Sequence, residues 1–181
     1  MAPSSPRTFA LAPGVTLLVR GWLHGNSVLL RGPGAAPPVL IDSGYHTGAT
    51  ELLAWLDATL GGREALAEIL LTHVHSDHGG GVAAVVAATG AKVRSSRSAR
   101  DLVARWDEGS LWLGPSGQVM PRFHVDEAFA DEEILRVGGR RLRVVATPGH
   151  MGCAVAFFDR TFPTWTKVNA STIVAACSTA Q

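Results

Sequence analysis

Four side chains able to bind a metal ion fall within six positions of this sequence, in Thr72-His73-Val74-His75-Ser76-Asp77-His78. They follow the apolar run Ile69-Leu70-Leu71 and precede Gly79-Gly80-Gly81. Metal chemistry needs lone pairs that converge on one point from a rigid support, and a strand running into a loop supplies one. In extended chain alternate side chains share a face, so His73 and His75 can approach one ion together. Asp77 and His78 are successive, so in extended chain they point apart and could serve a second position. The glycines let the chain turn sharply and bring a helix start close behind. Histidines that only cap a loop or face solvent would not be packed so densely.

A further donor comes much later. His150 ends Ala146-Thr147-Pro148-Gly149-His150, after the β-like Leu142-Arg143-Val144-Val145. Pro-Gly marks a turn, which places this histidine on a loop at a strand end. Should the two strands share one end of the fold, His73, His75 and His150 would hold one ion and leave a fourth position for water. That open set of three protein ligands is the form of a catalytic zinc site.

The elements that must carry these residues begin with strands. Val15–Val19, Ser27–Leu30 and Val39–Ile41 are short apolar runs separated by Gly/Pro-rich turns such as Arg31-Gly32-Pro33-Gly34. Helix signals then alternate with strands. Leu52, Leu53, Leu56 and Leu60 have helical spacing over 50–60, closed by Gly61-Gly62. Ile69–Leu71 reads as a buried strand, Val82–Thr89 as a helix closed by Gly90, and Lys92–Arg94 as a brief strand. Ser98–Trp106 reads as a helix with Ser98 as its cap, and residues 108–130 read as irregular. Gly138-Gly139 between Ile134–Val137 and Arg140–Val145 signals a hairpin. Ala154–Phe158 is a last strand. Strands before, among and after helices fit an α/β fold, a sandwich of sheets with outer helices.

Bulk properties set bounds. The 181 residues suit a single domain, 1–181, with a sizeable core. At 46% hydrophobic, 17% charged and net +1, the chain reads as an ordinary soluble protein, with no electrostatic case for nucleic acid. Arg94, Arg97, Arg100, Arg140, Arg141 and Arg143 sit among acids such as Asp101, Glu132 and Glu133, and read as a solvated mixed face. Two cysteines, Cys153 and Cys177, make no disulfide framework, which points to a reducing, cytoplasmic setting. Neither a signal peptide nor a membrane span is expected. His24, His46 and His124 stand alone, and the five tryptophans read as core or rim packing.

Taken together, His73-x-His75-x-Asp77-His78, the upstream Ile41-Asp42-Ser43-Gly44 and the downstream Thr147-Pro148-Gly149-His150 resemble the metallo-β-lactamase-fold hydrolases. The Asp77-His78 pair is similar to the dinuclear branch that contains glyoxalase II and lactonases. The resemblance runs from about residue 9 to residue 158 and implies an αββα sandwich of mixed sheets. It implies a first metal on His73, His75 and His150 and a second on Asp77 and His78, with zinc as one or two ions and iron or manganese as substitutes. Asp42, by the same resemblance, hydrogen-bonds a ligand histidine from behind and fixes its tautomer; the residues alone equally allow a turn role beside Ser43-Gly44.

The resemblance also implies a bridging Asp and a final His after His150. The last acidic residue is Asp159, no histidine follows His150, and all 20 glycines lie at or before Gly152. The atypical tail, 159–181, is therefore expected to reflect a truncated or altered second half, with the second metal position incomplete. Cys177 in Val174-Ala175-Ala176-Cys177 reads as a buried apolar cysteine rather than a replacement ligand.

The chemistry expected is hydrolysis of a small ester, thioester or lactone by a metal-activated hydroxide, because zinc on neutral imidazoles lowers the pKa of its water to about 7. Asp77 would orient or deprotonate that water, or hold the second ion. Two other readings stay open: an iron-dependent oxygen or sulfur redox protein, since His/Asp sites accept iron, and a metal-binding remnant with impaired catalysis.

Overall fold

A computed structural model of the protein describes residues 6–160 and the backbone of residues 173–174. Seven strands form one sheet in chain order: β1 (Arg7–Ala12), β2 (Val15–Val19), β3 (Ser27–Leu30), β4 (Val39–Ile41), β5 (Glu68–Leu70), β6 (Lys92–Ser96) and β7 (Glu127–Phe129). The first four pair antiparallel, β1 and β2 through the short turn Pro13-Gly14 and the others through longer loops. From β4 onward the pairing is parallel, which requires crossovers. Helix α1 (Ala49–Leu60) makes the first, α2 (Ser76–Gly79) with α3 (Val82–Thr89) the second, and α4 (Arg97–Arg105) with α5 (Leu113–Ser116) the third. A second, antiparallel sheet runs β11-β10-β9-β8, from β8 (Ile134–Val137), β9 (Arg140–Ala146), β10 (Val155–Asp159) and β11 (Ile173–Val174).

Strand alternation sorts the apolar residues into two cores. Leu29, Leu40, Ile69 and Leu71 join Leu52, Leu56, Val82, Val85 and Val103 in the core between the first sheet and the helices. Val28, Leu30, Val39, Ile41 and Leu70 point the other way, against Leu135, Val137, Leu142, Val144 and Phe157 of the second sheet. Strand β4 is buried on both faces, so it reads as an unbroken apolar run. The layers are helices, sheet and sheet, the mixed α/β sandwich that the family resemblance implies; among the described residues no second helical layer is present. No described helix is long and apolar enough to cross a membrane.

One strand was not expected, and three local readings are corrected. Residues 7–12 form β1, an almost wholly exposed edge strand without the buried face that would signal it. The stretch 108–130 is not uniformly irregular: it holds the single turn α5 and the three-residue β7, of which only Phe129 is buried. The cap of α4 is Ser96, whose hydroxyl accepts from the Ala99 amide at 3.3 Å, not Ser98. Arg140 is not on the solvated face. The left-handed pair Gly138-Gly139 turns the hairpin so that Arg140 lies inward opposite Val137, where its guanidinium binds Asp159 and the carbonyls of Pro13 and Arg31. That tie joins the two sheets. Of the other arginines named above, Arg143 meets Glu132, Arg94 meets Glu68, Glu127 and Glu133, and Arg100 meets Asp101. The readings of Trp165, Cys177 and the tail from residue 161 fall outside the described residues.

Candidate metal centre

The site is built where β4 and β5 end side by side. Leaving β4, Asp42 takes a left-handed conformation (φ 56°) while its amide donates to the Leu70 carbonyl. A non-glycine residue in that region is uncommon, and Asp is among the types that tolerate it. Its carboxylate then points at the end of β5, where it accepts from the Thr72 amide at 2.8 Å and the Thr72 hydroxyl at 2.6 Å. Two residues beyond Thr72's neighbour His73, the chain enters α2 with His75 at its N-cap, and the His78 and Gly79 amides both donate to the His75 carbonyl. The loop carrying His150 is tied to the same place, because the Val155 amide at the start of β10 donates to the Thr72 carbonyl at 2.9 Å.

These ties bring all five candidate ligands together. His73, His75 and His150 form one set and His73, Asp77 and His78 another, each with its donor atoms within 4.8 Å of one another. His73 belongs to both. Ring centroids of His73 lie 4.9 Å from His75, 5.2 Å from His150 and 4.0 Å from His78. Nδ1 of His75 faces Nε2 of His150 at 2.9 Å. Asp77 and His78 do not point apart, as extended chain would have them: one helical turn places Asp77 Oδ2 3.4 Å from His78 Nε2. Asp42 reaches His78 Nδ1 at 2.8 Å, so it is at once a turn residue and a carboxylate behind a histidine. Asp159 is occupied by Arg140 and does not line this site.

The electrostatics leave His73 and His75 free to take a cation. His73 is pushed down to about 2, first by burial and then by the neighbouring His78 and His75. His75 falls to about 4, by burial and by His150. Both are therefore neutral and hold free lone pairs at neutral pH. Burial alone would depress His78, but the Asp42 carboxylate, helped by Asp77, holds it up at about 10. Burial would likewise raise Asp77, yet the His78 hydrogen bond and charge keep it below its usual range. Nε2 of His73 is buried with no hydrogen-bond partner. An orphaned acceptor at the meeting point of two donor sets is where a metal ion fits, since buried polar atoms otherwise find partners.

A cavity of about 590 Å³ opens over the cluster, walled by Trp22, Leu23, Leu111, Trp112, Gln118 and Met151. Trp22 and Trp112 are 78% and 56% exposed, and Leu23 and Trp112 both have left-handed backbone. Spacing gave no sign of Trp22, Leu23 or Gln118 at the site; only an exposed indole beside a turn could have hinted at the first. Trp106, by contrast, is buried against Phe123. His46 packs on Tyr45 and does not line the cavity, His24 lies against the same tyrosine, and His124 is exposed.

Comparison with known proteins agrees with this geometry. The hydroxyacylglutathione hydrolase of Ectopseudomonas mendocina is 32% identical over 130 residues, 72% of this chain and 40% of that protein. That of Chromohalobacter salexigens is 33% identical over 132 residues, again 72% and 40%. The chain thus spans about two fifths of the length of these relatives. A Cronobacter sakazakii metallo-beta-lactamase with a HARLDQ motif superposes with a TM-score of 0.73 at 30% identity, over 87% of this chain and 58% of that one. The FEZ-1 metallo-beta-lactamase of Legionella gormanii shares the fold, with a TM-score of 0.75 at 20% identity over 88% of this chain and 60% of that one. Residues 20–161 match the model of the metallo-beta-lactamase superfamily, and the chain belongs to that superfamily.

Proposed function

We propose that this chain is the metal-binding part of a zinc-dependent hydrolase that cleaves a small ester, thioester or lactone. The observation that carries the reading is the unpartnered Nε2 of His73, a residue common to two converging donor sets at the floor of a cavity. His73, His75 and His150 would hold the first ion, and Asp77 and His78 a second. Zinc held there would supply Lewis acidity, to polarise a carbonyl and bring the pKa of water to about 7.

The chain's own residues do the rest. With only the first ion bound, Asp77, partly exposed at the cavity floor, would instead orient the attacking water or take its proton. Asp42, by accepting from Nδ1 of His78, leaves Nε2 of that ring as its ligand atom. Trp22, Leu111, Trp112 and Met151 offer an apolar wall for the part of the substrate that does not react, and displace water from it. The relatives are named hydroxyacylglutathione hydrolases, and an acyl group carried on the thiol of glutathione is a thioester, which favours that class among the three. The buried thiol of Cys153, free among the described residues, supports a reducing, cytoplasmic setting.

The test is a panel of thioesters, esters and lactones, offered to protein stripped by chelation and reloaded with zinc, manganese or iron. Turnover restored by zinc supports the reading. Oxygen uptake by the iron form would favour redox chemistry instead, and metal uptake without turnover of any substrate would leave a binding remnant and contradict it.

A further inference from the structure

Arg20 is buried, 4% exposed, and its Nε has no partner. Among the described residues no carboxylate pairs with it, and burial pulls its pKa down to about 10 despite the nearby Glu51. A buried cation beside a site for cations needs a reason, because apolar replacements for buried charges are often neutral or stabilising.

The hydrogen bonds supply that reason. Nη1 donates to the Ser43 carbonyl at 3.2 Å, while Nη2 donates to the Gly25 carbonyl at 3.2 Å and to Ser27 Oγ at 2.6 Å. Both residues gripped through their carbonyls act in turn on α2. Ser43 donates to the His78 carbonyl from its amide and from its hydroxyl, each at 2.8 Å. The Gly25 amide donates to the Asp77 carbonyl at 2.9 Å. Two relays therefore leave one guanidinium, Arg20–Ser43–His78 and Arg20–Gly25–Asp77. Neither reaches His73, His75 or His150.

The glycines show how closely this is fitted. A Cβ at Gly44 (φ 74°) would stand 2.3 Å from Nη2 of Arg20, and a Cβ at Gly25 would stand 2.3 Å from the Asp77 carbonyl oxygen. Both glycines make room for the relay.

We propose that Arg20 is a positioning residue for one half of the centre, holding the backbone of Asp77 and His78 so that their side chains meet a second ion. This rests on the metal-dependent reading above. Its test uses cobalt(II) titration of the full chain, followed by its visible spectrum, together with amide exchange in the metal-free protein.

In Arg20→Met the second equivalent of cobalt is expected to bind roughly 10–100-fold more weakly, with the first unchanged, and Arg20→Lys should restore part of the loss. In the metal-free variant the Gly25 and Ser43 amides should exchange faster, while the Val155 amide on the His150 side keeps its rate. Equal weakening of both equivalents, or faster exchange at Val155 as well, would show a merely structural role and overturn the proposal, as would no change at all. If the unaltered protein binds no cobalt, the hydrolase reading fails, and exchange at Gly25 and Ser43 still decides the role of Arg20. Arg20→Lys provides the same two measurements if Arg20→Met does not fold.

Discussion

Nδ1 of His78 lies 2.8 Å from Oδ2 of Asp42, and the two side chains are 1% and 0% exposed. A carboxylate sealed beside an imidazole fixes which ring nitrogen keeps its proton and which faces the site. Asp42→Asn tests this cleanly, because Asn also tolerates the left-handed backbone. The variant should drop the pKa of His78 from its value near 10 and weaken metal binding by roughly 10–100-fold. Ring NMR of His78 and a zinc titration measure both. Asp42→Ala should in addition destabilise the fold, by about 1–3 kcal/mol for each donor it leaves buried without a partner.

The metal-free protein should be most stable near the ordinary histidine pKa of 6.5. His73 and His75 titrate at about 2 and about 4, below that value. Between pH 4 and 6.5 the unfolded chain therefore takes up protons that the native state refuses, and stability rises with pH. His78 works in the opposite sense at about 10. Its contribution is complete below pH 6.5 and is lost as pH rises through the folded value. Thermal melts in chelator across this range should pass through a maximum. A melting temperature that only rises or only falls would contradict the assignment.

His150 is exposed on its loop, whereas His73 is buried. His150→Ala should thus change stability by no more than about 0.5 kcal/mol in the absence of metal, yet remove zinc from the His73–His75–His150 set and abolish hydrolysis. Chemical denaturation and metal analysis of the same sample separate the two effects.

The tryptophan wall makes a different prediction. Trp22 and Trp112 stand at the cavity, largely in solvent, so truncating either to Ala should leave metal content unchanged. For a thioester that turns over, the loss should fall on KM more than on kcat if, as proposed, these indoles bind the part of the substrate that does not react. A loss confined to kcat would place them in the chemistry instead.

How much of this was legible in the sequence follows from where each signal lives. The β4 and β5 runs, the leucine spacing of α1 and the Gly138-Gly139 turn are local patterns, and they mark the elements that meet at the site. Strand β1 was not legible because nearly all of it is exposed, and β7 because only Phe129 of its three residues is buried. The five candidate ligands stood out because four are crowded into one loop and the fifth follows a Pro-Gly turn. Arg20, Trp22 and Gln118 carried no such mark. Their place depends on which loops approach in space, and a lone arginine after a strand has no spacing to betray it. Arg140 shows the same limit: one residue of a basic run is turned inward by the hairpin beside it.

Hydrolysis by this protein requires imidazoles from the β5–α2 turn and the β9–β10 loop to hold one ion between them. Diffraction data from zinc-soaked crystals, collected at the zinc absorption edge, would locate that ion. An anomalous peak bonded to His73, His75 and His150 is expected, with Zn–N distances of about 2.0–2.1 Å. Zinc bound only elsewhere on the surface, with no peak among these three rings, would contradict it.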